Sequence, residues 1–410
     1  MQRTRSAITS EPPMRLLVLD TTHGGGTLAT ALAEEGHIVD CVDIYYGRDG
    51  IPSEAARTRL YNACIAPVHL DPAYPLLHRG LPVITHHQAA GLLLGGDLPT
   101  PFIEITGERG KTTTAYALAH LMGGAGILHT SSGDIRYPEK TLLGRYSITP
   151  ANIIRPVQEA RRLHGWCIAE SSLGVSGRGD LGILTSPGDY RIAAGKRSAL
   201  EAKLCHLSTC SQILLPEGIC VDHPDAHTVG DIASSRGTTI SYSFDGIEGS
   251  FDHPLLLLEG YRHPLLMATA AGCLLGIDPA PLQSFEALPG RMQTRYENGC
   301  LIVDAANSGT TKDTTIEAAR YARKIESGKD LHLIIGQDAH AVCENFAEDA
   351  IIAAIEAVAP DDLTLVTPDE PSDLLSRYPA CRRAASLEAA IATTEKRADT
   401  IILLAVKTWR

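Results

Sequence analysis

Between a stretch that reads as a strand and one that reads as a helix, the chain runs Ile105-Thr106-Gly107-Glu108-Arg109-Gly110-Lys111-Thr112-Thr113. No other segment limits the fold as tightly. Residues 102–106 are an apolar run, and a helical pattern begins at about Lys111, so a few residues must turn the backbone from one element into the other. Gly107 and Gly110 permit conformations closed to other residues, which lets the amides face inward around phosphate oxygens. The helix adds the positive end of its dipole. Lys111 is placed to neutralise outer phosphates, and the Thr112 hydroxyl to ligate magnesium. The usual loop of this kind has four residues between its glycines; this one has two. Its placement between strand and helix favours nucleotide binding over a purely structural turn. Thr106, Gly107, Glu108, Arg109, Gly110, Lys111, Thr112 and Thr113 are therefore the expected nucleotide contacts.

Downstream, Glu170-Ser171-Ser172 ends an apolar run at residues 166–169. A carboxylate at the C-terminal end of a strand can face the same crevice as a phosphate loop. Hard cations prefer oxygen donors, so Glu170 joins Thr112 as a candidate Mg2+ ligand. The competing reading is a solvated loop glutamate.

The rest of the chain alternates in the same way. Residues 15–20 read as a buried strand, Gly24, Gly25 and Gly26 as a turn, the alanine- and leucine-rich stretch ending near Gly36 as a helix, and 37–45 as the next strand, which is a βαβ unit. Further strands are expected at 182–185, 301–303, 331–335, 363–366 and 401–406. Helices are expected at 191–207, 264–275, 348–358 and 386–394. Glycine and proline punctuation at 94–101 and 279–289 marks two breaks. The expected domains are 1–97 (with 1–13 a loose tail), 98–288 and 289–410, as suits a chain of 410 residues.

A formal charge of −12 argues against a broad nucleic-acid surface. No apolar run is long enough for a membrane span, and the start lacks a secretory signal. The ten cysteines form no CxxC pair and read as free thiols of a reducing cytosol. A cytoplasmic protein with a small-molecule partner, and neither a nucleic-acid nor a membrane partner, is expected.

Thr-Gly-x-x-Gly-Lys-Thr-Thr followed by Glu-Ser-Ser resembles the central domain of the Mur ligases and folylpolyglutamate synthetases. Further likenesses follow in order. Residues 198–203 resemble the segment with the family's modified, often carbamylated lysine, which implies a catalytic role for Lys203 beside Lys111 and Glu170. Pro289-Gly290-Arg291-Met292 resembles the hinge whose arginine contacts nucleotide phosphate. Asp304 resembles the aspartate that meets the nucleotide after domain closure. The resemblance implies an α/β chain of three domains, with a Rossmann-like first domain, a P-loop ATPase centre and a Rossmann-like third domain. It also implies activation of a substrate carboxylate as an acyl phosphate. Two departures stand out. Tyr190 occupies the place of the family's metal-binding histidine. Pro264 and Met267 replace its two asparagines, although His263 is kept.

Asp20-Thr21-Thr22-His23-Gly24-Gly25-Gly26, with a third domain that ends early, resembles the branch of the family that completes the nickel tetrapyrrole coenzyme F(430). That implies a carboxylate of a nickel-containing tetrapyrrole as substrate and a carbon–carbon bond closed within one molecule. His23, Gly24, Gly25 and Gly26 would then face the substrate. His86, His87 and Tyr190 join His23 as possible bases, and Arg136, Arg145, Arg178 and Arg191 as possible cations. Asp222, His223 and His227 read as a solvated loop rather than a metal cluster. The rivals are an amide-forming Mur-type ligase, a non-catalytic nucleotide-binding module, and a dinucleotide-binding dehydrogenase suggested by Gly24 to Ala29 with Asp43.

Overall fold

The computed structural model describes residues 12–307, 309–338, 346–367 and 373–408. Apart from Pro12 and Pro13, the expected tail lies outside them. The chain divides into two compact units, Met1–Ser284 and Phe285–Arg410.

The first unit holds two parallel sheets on one continuous core. The smaller has the strand order Ile38–Val42, Arg15–Leu19, Ala63–Ala66, Val83–Thr85, all parallel. The larger has six parallel strands in the order Ala226–Thr228, Gln212–Leu215, Leu181–Leu184, Phe102–Thr106, Trp166–Glu170, Gly126–Thr130. An antiparallel extension, Gly133–Tyr137 and Thr141–Gly144, completes it. Both faces of such sheets are covered, so the strands are apolar runs rather than alternating ones. Phe102–Thr106 and Trp166–Glu170 are buried throughout.

Leu16, Val18, Leu28, Ile65, Ala90 and Leu94 from the first sheet and its helices pack in one cluster with Phe102, Ile127, Ile153, Val157 and Cys167 from the second. The glycine- and proline-rich stretch near residue 97 is thus crossed by a shared core. Helix His86–Leu94 closes with a hydrogen bond from Arg161 to the Leu94 carbonyl.

The second unit is a six-stranded sheet in the order Gln293–Glu297, Cys300–Asp304, Thr400–Lys407, Asp330–Gln337, Asp362–Val366, Arg382–Ala384. Only the first pair is antiparallel. Helices Lys312–Ile325, Glu348–Val358 and Leu387–Thr393 belong to it.

Two sequence expectations need correcting. Residues 191–207 are not one helix: Arg191–Ile192 pairs with Arg197–Ser198, and the helix is Ala199–Leu207. Ala193, Ala194 and Gly195 take positive φ values of 56°, 55° and 78°, which no helix accommodates. Ser198 caps the shorter helix by accepting from the Glu201 amide. The helix expected at 264–275 begins earlier, as Glu259–Leu274, with Pro264 inside it. A further three-stranded antiparallel sheet, Ala233–Arg236, Thr239–Phe244 and Ile247–Asp252, had no counterpart in the sequence reading.

Glu104 fixes how the strand ends relate to the site. Its buried carboxylate accepts the amides of Ser176, Arg178 and Gly179 at 2.7, 2.9 and 2.9 Å. This pins the loop between Glu170 and the next strand of the larger sheet. Removing an acceptor leaves each buried donor with its full desolvation penalty. Glu104→Ala is expected to cost the first unit roughly 3 kcal/mol, three donors at about 1 kcal/mol each. A urea-denaturation midpoint near wild type would contradict this.

Candidate nucleotide and substrate site

The phosphate loop leaves strand Phe102–Thr106 and enters helix Lys111–Leu121. Gly107 has φ 147° and Gly110 φ 82°. A Cβ on Gly107 would lie 2.2 Å from the Thr185 hydroxyl, so the glycine serves close approach as well as conformation. The neighbouring strand supports the loop. The Thr185 hydroxyl lies 2.6 Å from the Arg109 carbonyl, and Ser186 Oγ accepts the amides of Glu108 and Arg109 at 2.9 and 3.1 Å. Sequence reasoning missed these two residues, and the hydroxyl pair directly after strand Leu181–Leu184 was the available signal. A Cβ on Gly110 would meet Pro264 at 3.2 Å, which gives the replaced asparagine position a packing role under the loop.

Lys111 Nζ donates to the Gly107 carbonyl at 3.1 Å and lies 3.9 Å from Glu170 Oε1. The Thr112 hydroxyl donates to Glu170 Oε2 at 2.9 Å, and the Ser131 amide donates to the same oxygen at 3.2 Å. Glu170 is 2% exposed, which excludes the solvated-loop reading. A buried carboxylate beside a threonine hydroxyl at a helix start is a hard-oxygen donor set that fits Mg2+.

Lys203 lies in helix Ala199–Leu207, fully buried, with no hydrogen-bond partner for Nζ among the described residues. Its Nζ sits 4.9 Å from the centre of the Tyr190 ring, the residue that replaces the expected histidine. Burial, and then the positive charge of Lys111, pull its pKa below the ordinary lysine value; Glu108 and Asp189 oppose this. Asp189 is occupied by the Ser198 hydroxyl and the Leu200 amide.

A second feature lies at the C-terminal ends of the smaller sheet. A cavity of about 410 Å³ is lined by His23, Tyr45, His69, His86 and His87 on one side and by Thr149, Pro150, Ser172 and Leu173 on the other, with Pro67 and Val68 between. Asp20, at φ 72°, is fully buried beneath it. Its Oδ1 accepts the amides of Thr22 and His23, and its Oδ2 lies 2.8 Å from His23 Nδ1 and 3.5 Å from His69 Nε2. Burial raises the Asp20 pKa, but hydrogen bonds from His69 and from the His23 amide and ring outweigh it and hold the carboxyl below its usual range. Burial pushes His86 down to about 4 and His87 well below the ordinary histidine value. The sequence placed His23 and the adjacent pair His86 and His87 on two separate segments; the sheet gathers them and adds Tyr45 and His69.

Gly24 reaches the cavity rim through packing: a Cβ there would lie 2.8 Å from the Thr149 hydroxyl. A Cβ on Gly25 would run into the Asp20 carbonyl at 1.9 Å. Gly26 begins the helix Gly26–Glu34. Asp43, the residue a dinucleotide would need, spends its carboxylate on the amides of Tyr45, Tyr46 and Arg48. Arg178 and Arg191 bind the carbonyls of Gly95 and Gly195, and Arg136 pairs with Glu139. None of these arginines, nor Arg145, lines the cavity. His223 bonds the Cys210 carbonyl and the Asp225 amide, and His227 packs on Phe244, so neither forms a cluster with Asp222. In the second unit, Asp304 ends strand Cys300–Asp304 and accepts the Ala306 amide at 3.1 Å. Gly290, beside Arg291, has φ 70° where a Cβ would strike the Ala306 carbonyl at 2.4 Å. The nine described cysteines are all free, and no helix among the described residues is long and apolar enough to cross a membrane.

Solved structures give the class. A UDP-N-acetylmuramoyl-L-alanyl-D-glutamate--2,6-diaminopimelate ligase matches 97% of this chain and 88% of its own, with TM-score 0.52 and 13% identity. A UDP-N-acetylmuramoylalanyl-D-glutamyl-2,6-diaminopimelate--D-alanyl-D-alanyl ligase from Acinetobacter baumannii matches 80% and 78%, with TM-score 0.53 and 13% identity. The fold is that of the three-domain Mur ligases, as the sequence motifs implied.

Sequence comparison narrows this. The coenzyme F(430) synthetase of Methanosarcina acetivorans is 31% identical, over 83% of this chain and 87% of that one. The family described as coenzyme F430 synthetase CfbE, C-terminal domain, matches residues 294–408. The chain belongs to the coenzyme F(430) synthetase family and is an ATP-dependent ligase of Mur type.

Because Gly107 has no room for a side chain, Gly107→Ala is expected to weaken binding of a non-hydrolysable ATP analogue by about tenfold or more, roughly 1.4 kcal/mol. Calorimetric titration checks this; wild-type affinity in a folded variant would show that the loop does not hold the nucleotide.

Proposed function

We propose that this chain phosphorylates a propionate carboxylate of nickel seco-F(430) acid with ATP, and that a carbon of the same molecule then displaces phosphate to close a six-membered ketone ring. ATP becomes ADP, phosphate leaves, and the organic product is lighter by one water. The observation that carries this reading is the wall of the cavity beside Glu170. Ser172 and Leu173 line it only two and three residues beyond Glu170, and two residues of chain span at most roughly 7 Å. None of the lining residues is Lys, Arg, Asp or Glu. An incoming amino acid would bring a carboxylate and an ammonium group into a partly dehydrated site, where each needs an opposite charge. A carbon already tethered to the activated acid needs neither, and favourable orientation alone can remove about 7–11 kcal/mol of barrier.

The residue roles in this proposal are as follows. Amides of the 107–112 segment and Lys111 hold the ATP phosphates, with Thr106, Glu108, Arg109 and Thr113 shaping the loop. Thr112 and Glu170 would hold Mg2+, which when bound offsets the negative charge of the transferring phosphoryl group. Lys203, buried and with no hydrogen-bond partner among the described residues, is assigned to the same site as a carbamylation candidate; low basicity and a dry setting favour the uncharged amine that reacts with CO2. We assign residues 1–97 to substrate binding, 98–288 to ATP, and Arg291 and Asp304 of 289–410 to nucleotide contacts. His23 and Gly24 to Gly26 belong to the substrate side.

The test is an assay with ATP, Mg2+ and the nickel seco acid. Phosphate release matching ring-closed product, without added amine, is expected; turnover that depends on an amino acid would overturn the proposal and favour an amide-forming ligase. Lys111→Ala and Glu170→Ala should each lower phosphate release by about a hundredfold or more while circular dichroism stays unchanged. In ¹³C-bicarbonate, a carbamate signal present in the wild type and absent in Lys203→Arg is expected; its absence from active wild type removes that role.

A further inference from the structure

Five side chains with proton-transfer chemistry line the cavity, and each already has a polar partner. His86 Nε2 lies 2.9 Å from the Leu19 carbonyl, and His87 Nε2 lies 2.8 Å from the Ser172 carbonyl. His69 Nε2 lies 2.9 Å from the Tyr45 hydroxyl and 3.5 Å from Asp20 Oδ2. His23 differs. Its Nδ1 is 2.8 Å from a carboxylate, that of the buried Asp20, whereas the Nε2 partners of His86 and His87 are neutral carbonyls and both of those rings are buried. Carboxylate acceptance at Nδ1 puts the ring hydrogen there and leaves a lone pair on Nε2. The His23 side chain is 48% exposed and Asp20 is 0% exposed, so the pair has one dry end and one end open to the cavity.

The pair is also fixed to the activation site. Gly24 packs directly on Thr149, and the neighbouring Ile148 carbonyl accepts the Ser172 amide at 2.9 Å, two residues beyond Glu170. His23 and the strand end that carries Glu170 are thus held through one short backbone relay. The ring is fixed edge-on to Tyr45 and His69, with centroids 5.2 and 5.1 Å away.

Building on the function proposed above, we infer that His23, oriented by Asp20, is the general base that removes the proton from the attacking carbon. The new carbon–carbon bond forms at the acyl carbon, the bond from that carbon to the phosphate oxygen breaks, and phosphate departs with the electron pair. The proton lost by the nucleophilic carbon passes to His23 Nε2. The Asp20 carboxylate stabilises the resulting imidazolium and stays ionised, as its lowered pKa allows. His23 is then a catalytic residue and Asp20 a positioning residue.

Hydroxylamine separates the two half-reactions, because it traps an acyl phosphate as a hydroxamate. In His23→Gln, ring closure is expected to fall about a hundredfold more than hydroxamate formation, the usual size of a lost general base. Added imidazole should restore closure in His23→Ala. Asp20→Asn, if folded, should show the same split between closure and trapping, because the ring hydrogen would move to Nε2. Ring closure at wild-type rate in His23→Gln overturns the inference, and so does an equal loss of trapping and closure. Stoichiometric Zn2+ uptake abolished by both His23→Gln and His69→Gln would also overturn it, assigning Asp20, His23 and His69 to a cation site. If the wild type yields no hydroxamate and no phosphate, the acyl-phosphate reading itself fails, a result distinct from these.

Discussion

The Glu170 carboxylate is buried, and the site is organised around keeping it there. A carboxylate taken out of water costs several kcal/mol unless its oxygens are satisfied. Here the Thr112 hydroxyl and the nearby Lys111 ammonium from the helix start, and the Ser131 amide from a separate turn, meet that need. The helix start, the end of its neighbouring strand and the turn after strand Gly126–Thr130 are therefore tied at one point. Moving any of them would leave the charge unpaired. Once Glu170 is fixed, Ser172 and Leu173 fall where they wall the cavity, so the glycine loop and the cavity share one strand end.

The shared core of the first unit makes that arrangement precise enough for chemistry. The apolar cluster crosses from the smaller sheet to the larger one, and side chains packed at crystal-like density cannot slide by fractions of an ångström without opening voids. Backbone strain at the cavity fits the same picture. Asp20 adopts φ 72°, a conformation uncommon for a residue with a side chain, and so brings its carboxylate under the His23 ring and amide. The hydrogen bonds it makes there, and the packed strand Arg15–Leu19 behind it, over-determine that conformation.

The phosphate loop was legible because its chemistry is local: two glycines, a lysine and two threonines act within one turn. Glu170 was legible for a related reason, since the end of an apolar strand states where its side chain must emerge. The imidazole-lined cavity was only half legible. His23, Tyr45, His69 and His86 follow four different strands of the smaller sheet, and their meeting depends on the strand order, which spacing along the chain does not encode. Thr185 and Ser186 escaped notice because their task is to support another segment's backbone. The misread helix at 191–207 has a plainer cause. Alanine favours helix on average, but Ala193 and Ala194 sit in a left-handed turn set by strand pairing and by Gly195.

The two halves of the site are electrostatically unlike, and that contrast suits a reaction in two stages. Around the loop lie Lys111, Glu170, Glu108 and Lys203, a charged setting matched to phosphoryl transfer. Across the strand end the cavity presents His86 and His87, which burial keeps neutral at ordinary pH, with proline, valine and leucine beside them. On the function proposed above, an acyl phosphate would keep its leaving group near Lys111 while its carbonyl carbon faced the weakly polar cavity wall. A tethered carbon can compete with hydrolysis there because water gains little by entering. The same wall, which carries no Lys, Arg, Asp or Glu of its own, would penalise a free zwitterionic amine, and that penalty is what the proposed intramolecular closure avoids.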